Sequence, residues 1–385
     1  MSKLHATSVQ SLEEFRSIAP QWNQLWESSN AYEPISRSEG ICLWVNHFSS
    51  PDQFCATLVW DEGNLVGALP WIRSRSAAMN VATALSNCWC CSNELLIDPT
   101  ANADQVAGCI VGELRQMNQS MLQLDGVHSD SDAWNALINQ IQQAGGVVEI
   151  TRRRTLGLVD IGGDWDAYFA CLSGNHRSSV RRAEKQARRA GELEVQRLSD
   201  LTAEETERYM HEVFRIENES WKADNASSIL ASEGMVDYFL QEAEIARQAG
   251  MLELWFLLLD GRPIAFEYCH RCKGVCLSYK IGYDQEFRKF APGKVLRKLQ
   301  LETLHQQDPG SILDTQGVLC EAKAKWVTRT FETGCLTASL GGTMAGAFVK
   351  GMRQARPLIR KLRGIPVIED SIALGGQSYA STCSL

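Results

Sequence analysis

Residues 276–304, CLSYKIGYDQEFRKFAPGKVLRKLQLETL, concentrate groups that hold anions. The apolar run CLSYKIGY reads as a strand and ends at Asp284. A basic loop follows, then the turn Ala291-Pro292-Gly293, then the helical run KVLRKLQLETL. Proline suits a first helical turn, because its missing N–H has no intrahelical partner there. Gly293 removes a side chain where a ligand approaches the backbone. Free N–H groups at the positive end of the helix then face a phosphate. Arg288, Lys289 and Lys294 add charge beside it. Pro-Gly before a helix is common in plain turns. The weight comes from its setting: a hairpin upstream, and a second strand carrying Asp314 downstream.

The rest of the chain bounds what such a site serves. The 385 residues carry a formal net charge of −8 and a pI near 5.5, which argues against a dedicated nucleic-acid binder. Length suggests two or three compact units. No stretch approaches the ~18 apolar residues of a membrane span. The N-terminal MSKLHATSVQSLEEF lacks the apolar core of a secretory signal, so a cytoplasmic protein with reduced thiols is expected. Thirteen cysteines include a CxxC at Cys269/Cys272 and the cluster Cys88, Cys90, Cys91, but no second pair completes a zinc site, and no metal is expected. Against the acidic whole stands HRSSVRRAEKQARRAG (176–191), six of whose sixteen residues are Arg or Lys. As a helix it sets Val180, Ala183, Ala187 and Ala190 in a narrow small-residue stripe. Arg177, Arg181, Lys185 and Arg188 line one flank of that stripe. A solvated charged face is the plain explanation, and an anion-facing helix the functional one.

A weak internal repeat organises the chain. FCATLVWDEGNLVGA (54–68) and LELWFLLLDGRPIAF (252–266) are each two apolar runs around an acidic-Gly turn, a hairpin signal. Gly63 matches Gly261, Val66 matches Ile264, and downstream Asp98 matches Asp284. Two tandem lobes follow, 1–160 and 161–345. VVEITRRRTLGLVDIGGDWDAYF (147–169) joins them, with a turn at Gly-Gly-Asp. Thr202 and Glu205 form a capping box that opens a helix through Val213, Glu217 and Trp221. Residues 346–385 read as a basic amphipathic helix broken at Pro357, then a loosely ordered tail.

Four stretches in order resemble the GNAT-type N-acetyltransferases: 168–191, DGRPIAFEY (260–268), YDQEFRKFAPGKVL (283–296) and DTQGVLCEAKAKWVTR (314–329). More narrowly, the chain is similar to the two-lobed branch that includes cellulose-biosynthesis acetyltransferases of the CelD type, more distantly to FemAB aminoacyl transferases. The resemblance implies an α/β (α+β) chain of two tandem GNAT-like lobes, each a mixed, mainly antiparallel sheet flanked by helices. It implies acetyl-CoA or another acyl-CoA as co-substrate, cradled by 288–294. The family turn Gln/Arg-x-x-Gly-x-Gly/Ala survives here only as RKFAPGK, with one glycine. Where relatives carry a Tyr-Lys pair, this chain has Ala322 and Lys323. The first lobe reads DPTANADQVAG at the corresponding turn, so it is expected to be structural or substrate-shaping.

Acyl transfer to an amine needs a base, a polarised carbonyl and an acid for the leaving thiolate. Glu267, in the strand RPIAFEYCHR, is the first candidate base, with pairing to Arg271 or Lys280 as the alternative. His270 is a second candidate. Tyr279 and Tyr283 fall on one face by strand alternation, and either is a candidate acid or a packing residue. Asp314 orients substrate or caps a turn. Arg177, Arg181, Glu217, Trp221 and Lys323 are candidates for the acceptor side. The expected reaction is N-acylation of a small-molecule or saccharide amine, as in polysaccharide or envelope biosynthesis. No nucleic acid is expected, and peripheral association with membrane or synthesis machinery suits the basic tail. The alternatives are a FemAB-type transferase using charged tRNA and a non-catalytic accessory protein.

Overall fold

The computed structural model describes residues 4–76, 79–87, 89, 94–128, 130–220 and 228–362. Among the described residues two compact units emerge, one from 4–155 with 331–362, the other from 156–330.

The first unit contains β1 (His5–Val9), α1 (Leu12–Ser17), α2 (Ala19–Ser28), α3 (Ser38–Phe48), β2 (Phe54–Asp61), β3 (Asn64–Ser76), β4 (Met79–Thr83), β5 (Leu96–Ile97), α4 (Ala103–Gln116), β6 (Met121–His128) and α5 (Asp132–Gln143). β7 (Val148–Asp160) leads into the second unit. There follow α6 (Trp165–Cys171), α7 (Gly174–Ala190), β8 (Leu193–Leu198), α8 (Ala203–Asn218), α9 (Met235–Gln248), β9 (Leu252–Leu259), β10 (Arg262–Cys272), β11 (Val275–Tyr283), α10 (Pro292–Gln307), β12 (Ile312–Asp314) and α11 (Glu321–Ala324). β13 (Arg329–Ser339) and α12 (Thr343–Leu362) close the described chain.

The two units repeat one plan. In the first, β1, β2, β3 and β4 pair antiparallel in sequence, β4 pairs parallel with β6, and β6 pairs antiparallel with β13. In the second, β8, β9, β10 and β11 pair antiparallel, β11 pairs parallel with β12, and β12 pairs antiparallel with the end of β7. Each parallel pair is spanned by one helix, α4 or α10, as a parallel connection requires. The fold is therefore α/β, with mixed, mainly antiparallel sheets flanked by helices. The matched hairpins have matched turns: Glu62 and Gly63 have φ of 48° and 87°, Asp260 and Gly261 of 51° and 76°. Both central residues are left-handed, the geometry that favours glycine in a tight hairpin. The stretch read as a joint is mostly the long strand β7. Phe331–Ser339, assigned by sequence to the second lobe, packs in the first unit against β6.

Local signals explain most helices of the second unit. Thr202 and Glu205 form the reciprocal capping box of α8. Asp164 caps α6 after the Gly-Gly turn. α7 buries His176, Val180, Ala183 and Ala187; Ala190 is exposed, so the stripe extends toward the N-terminus instead. α12 does not break at Pro357, since proline removes one helical hydrogen bond without necessarily ending a helix. Residues after 362, and Cys88, Cys90, Cys91 and Trp221, lie outside the described residues. Among the described residues no helix is long and apolar enough to cross a membrane.

One buried charge cluster pins the far end of the second sheet. Glu253 on β9 is almost fully buried and accepts from Arg271 Nε at 2.8 Å, Arg197 Nη2 at 2.7 Å and Trp255 Nε1 at 2.6 Å. Arg197 also reaches Asp308, just past α10, at 2.8 Å. Burial pushes the Glu253 carboxyl up, but Arg271 and Arg197 outweigh it, and the net shift is downward. A lowered folded-state pKa contributes stability above the unfolded value, lost as pH falls through it. Glu253→Ala leaves two partly buried guanidiniums, Arg197 and Arg271, sharing Asp308 as their one remaining carboxylate among the described residues and is expected to cost about 3 kcal/mol, measured by denaturant unfolding. Glu253→Gln should flatten the loss of stability on acidification below pH 5; an acid limb as steep as that of the unaltered protein would refute this role.

Candidate functional site

β10 and β11 meet at a bulge. Tyr268 faces Lys280 while Cys269 faces Ser278, so Tyr279 is the extra residue. A bulge inverts strand alternation beyond it. The Tyr279 ring packs against His270, with centroids 5.0 Å apart, and against Tyr268 and Phe239, beneath α9. Tyr283 packs with the opposite cluster of α7 and α10 residues, beside Gly293. The expectation that the two tyrosines share a face fails for this reason. Just before the bulge, the β11–β12 ladder ends at Leu277 and Asp314, while β11 runs on to Tyr283. The two strands thus form a wedge with Ser278 at its apex.

Asp284 organises the turn after β11. Its N–H donates to the Ile264 carbonyl at 2.9 Å, Oδ1 accepts from the Glu286 N–H at 2.9 Å, and Oδ2 takes Arg262 at 2.7 Å. A 3₁₀ turn, Gln285–Phe290, leads to Ala291 and α10. α10 has no side-chain cap, Pro292 in its first turn and no acidic residue there. Lys294 donates to Ser179 of α7 at 2.9 Å, and Lys298 pairs with Glu184 at 3.3 Å. That rising register makes α7 and α10 run in the same sense, so their positive ends lie together. His176, in the first turn of α7, is buried against Trp326, and its Nε2 has no partner among the described residues. Burial lowers its pKa, as do Lys294 and Lys325. Arg288, Lys289 and Gly293 are exposed at this end.

The first unit has the same turn, closed. Asp98 donates its N–H to the Val66 carbonyl at 2.9 Å and accepts from the Thr100 N–H at 2.8 Å, matching two of the three bonds of Asp284. But Asn102 caps α4 by accepting from the Gln105 N–H, and Asp104 sits in its first turn. A filled, acidic helix start repels an anion; the open, basic start of α10 attracts one.

Beneath the wedge lies a buried polar group that the sequence reading missed. Arg297, one turn into α10, pairs with Glu267 at 3.0 Å and donates to Ser278 Oγ at 3.1 Å. Glu267 therefore pairs with neither Arg271 nor Lys280. The run KVLRKLQL offers several cations, and nothing in its spacing singles out the one facing inward. Lys323 donates to the Gln316 carbonyl; burial, and less strongly Arg297, lowers its pKa. Asp314 is fully buried at the end of β12 and accepts from the Gln316 N–H at 2.8 Å.

The structure thus brings Glu267, Asp314 and Lys323 together, with Tyr283 near the α10 start. Other candidates lie elsewhere. Arg177 bonds the Ala170 carbonyl and Arg181 covers the Phe169 ring, 5.2 Å from its centroid. Glu217 is buried and accepts from the Ile229 N–H at 2.9 Å. His270 contacts Glu242 at 2.7 Å and Tyr268 Oη at 3.1 Å on the α9 face.

Residues 174–312 match the profile of an acetyltransferase (GNAT) domain. A crystal structure of FemX superposes with a TM-score of 0.58 at 11% identity, over 86% of this chain and 96% of that one. A conserved protein of unknown function from Bacteroides thetaiotaomicron superposes at 0.50 and 12%, over 89% of this chain and 100% of that one. A tandem GNAT protein from the clavulanic acid biosynthesis pathway reaches 0.47 at 13%, over 89% and 100%. At these identities the likeness is one of fold. No curated protein matches the sequence. The wedge and the α10 start both lie within the residues of the second unit that match the acetyltransferase (GNAT) profile.

Ala291 aligns with the first glycine of the family turn and has φ +49°, in the left-handed region. A side chain there costs roughly 1–2 kcal/mol. Thermal unfolding should rank Ala291→Gly at or above the unaltered chain, and Ala291→Val about 2 kcal/mol below it. A valine variant as stable as the parent would show that this backbone is not held left-handed.

Proposed function

We propose that this protein is an acyl-CoA-dependent N-acyltransferase whose second lobe alone binds the donor. The observation that carries the reading is the contrast between two equivalent helix starts, α4 capped and acidic, α10 uncapped and basic beside the open strand wedge. The pyrophosphate lies against the turn from Arg288 to Lys294, taking the Gly293 N–H and the positive helix end. The pantetheine arm runs alongside β11 between Ser278 and Tyr283. The thioester reaches the apex.

The acceptor amine attacks the thioester carbonyl carbon, a C–N bond forms and the C–S bond breaks. The amine proton passes to a carboxylate, and the CoA thiolate takes a proton from an acid. Glu267 is the proposed proton acceptor. Its Oε2 is engaged by Arg297, while among the described residues Oε1 faces only the weak donor Cys269 Sγ at 3.6 Å. Lys323, an ammonium with a lowered pKa, supplies charge or a proton to the leaving sulfur. Asp314 holds the Gln316 turn in which Lys323 is seated. Tyr279 and Tyr283 are proposed as packing residues on the two sides of β11. By its resemblance to the CelD branch, the acceptor is proposed to be a small-molecule or saccharide amine of polysaccharide or envelope biosynthesis, handled in the cytoplasm without nucleic acid.

Free CoA and acetyl-CoA should raise the melting temperature by mass action, and Gly293→Asp, which sets a carboxylate against the phosphates, should abolish the rise. Glu267→Gln should keep the rise and lower turnover about 100-fold or more. A melting temperature indifferent to every CoA species would overturn the donor assignment.

A further inference from the structure

The floor of the wedge is polar in a way that acetyl transfer does not use. Arg297 is more than nine-tenths buried; its Nη2 is spent on Glu267 and Ser278, and its Nη1 has no partner among the described residues. One turn along α10, Gln300 is fully buried. Its Nε2 reaches Cys269 Sγ at 3.8 Å, and its Oε1 has no partner among the described residues. Glu267 and Cys269 are two residues apart on β10, so their partners Arg297 and Gln300 cover adjacent positions over that strand. Beside the apex residue Ser278 there is thus one unspent buried donor and one unspent buried acceptor.

A buried polar atom without a partner costs free energy, and sites that hold such atoms select ligands that complete them. A methyl-terminated acyl chain satisfies neither. A carboxylate would satisfy Arg297 but would meet the carboxylates of Glu267 and Asp314, which Lys323 offsets only in part. An aminoacyl group brings an ammonium toward a guanidinium that needs an acceptor. A hydroxyl both accepts and donates, and it is neutral. Resting on the acyl-CoA reading above, we infer that the transferred acyl group bears a hydroxyl near its 3-carbon: the donor is a hydroxyacyl-CoA, with Arg297 and Gln300 as the specificity residues.

The test is calorimetric titration of the full chain with CoA, butyryl-CoA, 3-hydroxybutyryl-CoA, succinyl-CoA and β-alanyl-CoA. 3-Hydroxybutyryl-CoA should bind at least about tenfold tighter than butyryl-CoA, with the other two acyl-CoAs weaker than it. Arg297→Lys keeps a cation for Glu267 but has no second nitrogen to offer, and should erase the tenfold preference while CoA itself still binds. Should that variant not fold, the ligand series on the unaltered protein decides alone. Equal binding of the hydroxylated and plain chains, tightest binding of succinyl- or β-alanyl-CoA, or a preference that survives in Arg297→Lys overturns the inference while leaving CoA binding intact. Failure of every species including CoA instead overturns the donor reading on which it rests.

Discussion

A strand that outruns its neighbour is the constraint on which the site depends. β11 continues to Tyr283 after its ladder with β12 has ended at Leu277, and backbone N–H and C=O groups in such a position must find other partners. The bulge at Tyr279 sits where the strands part and increases local twist. Past it, Asp284 fixes the turn with three directed bonds and delivers the chain into α10 at a set angle. The buried Glu267–Arg297 pair ties that helix to the sheet at the apex. Such a pair is weak support for stability, since burial costs each ion its water, but it specifies one geometry.

The repeat shows what a lobe becomes when the same frame is put to different use. The equivalent aspartates, Asp98 and Asp284, make the same two bonds. In the first lobe β4 and β5 are separate strands, where the second has one bulged strand, and Asn102 closes the helix start. A few side chains therefore separate a capped, acidic helix start from an uncapped, basic one. A shared fold therefore leaves the chemistry to be argued from the second lobe's own residues.

Much of this was legible in the sequence because it is local. The hairpin turns announce themselves through Glu62-Gly63 and Asp260-Gly261, α8 through Thr202 and Glu205, and the helix start through Pro292. What could not be read depends on distant partners or on register. Strand alternation assigns Tyr279 and Tyr283 to one face, and only the pairing of β10 with β11 reveals the extra residue. Arg297 looks like any cation of a basic helix until Glu267, on a strand thirty residues earlier, is seen beside it. The basic run of α7 is resolved in the same way. Arg181 and Arg188 cover a ring and a carboxylate, while the electropositive end is made by the helix start shared with α10.

The central claim is that donor binding belongs to the second lobe alone. Hydrogen-exchange mass spectrometry with and without saturating CoA tests it most directly, because the two equivalent turns report separately in one experiment. The account predicts slowed exchange across Ser278–Tyr283 and Gly293–Val295, with Leu96–Gln105 unchanged. Slowing confined to Leu96–Gln105, or spread equally over both turns, would contradict it.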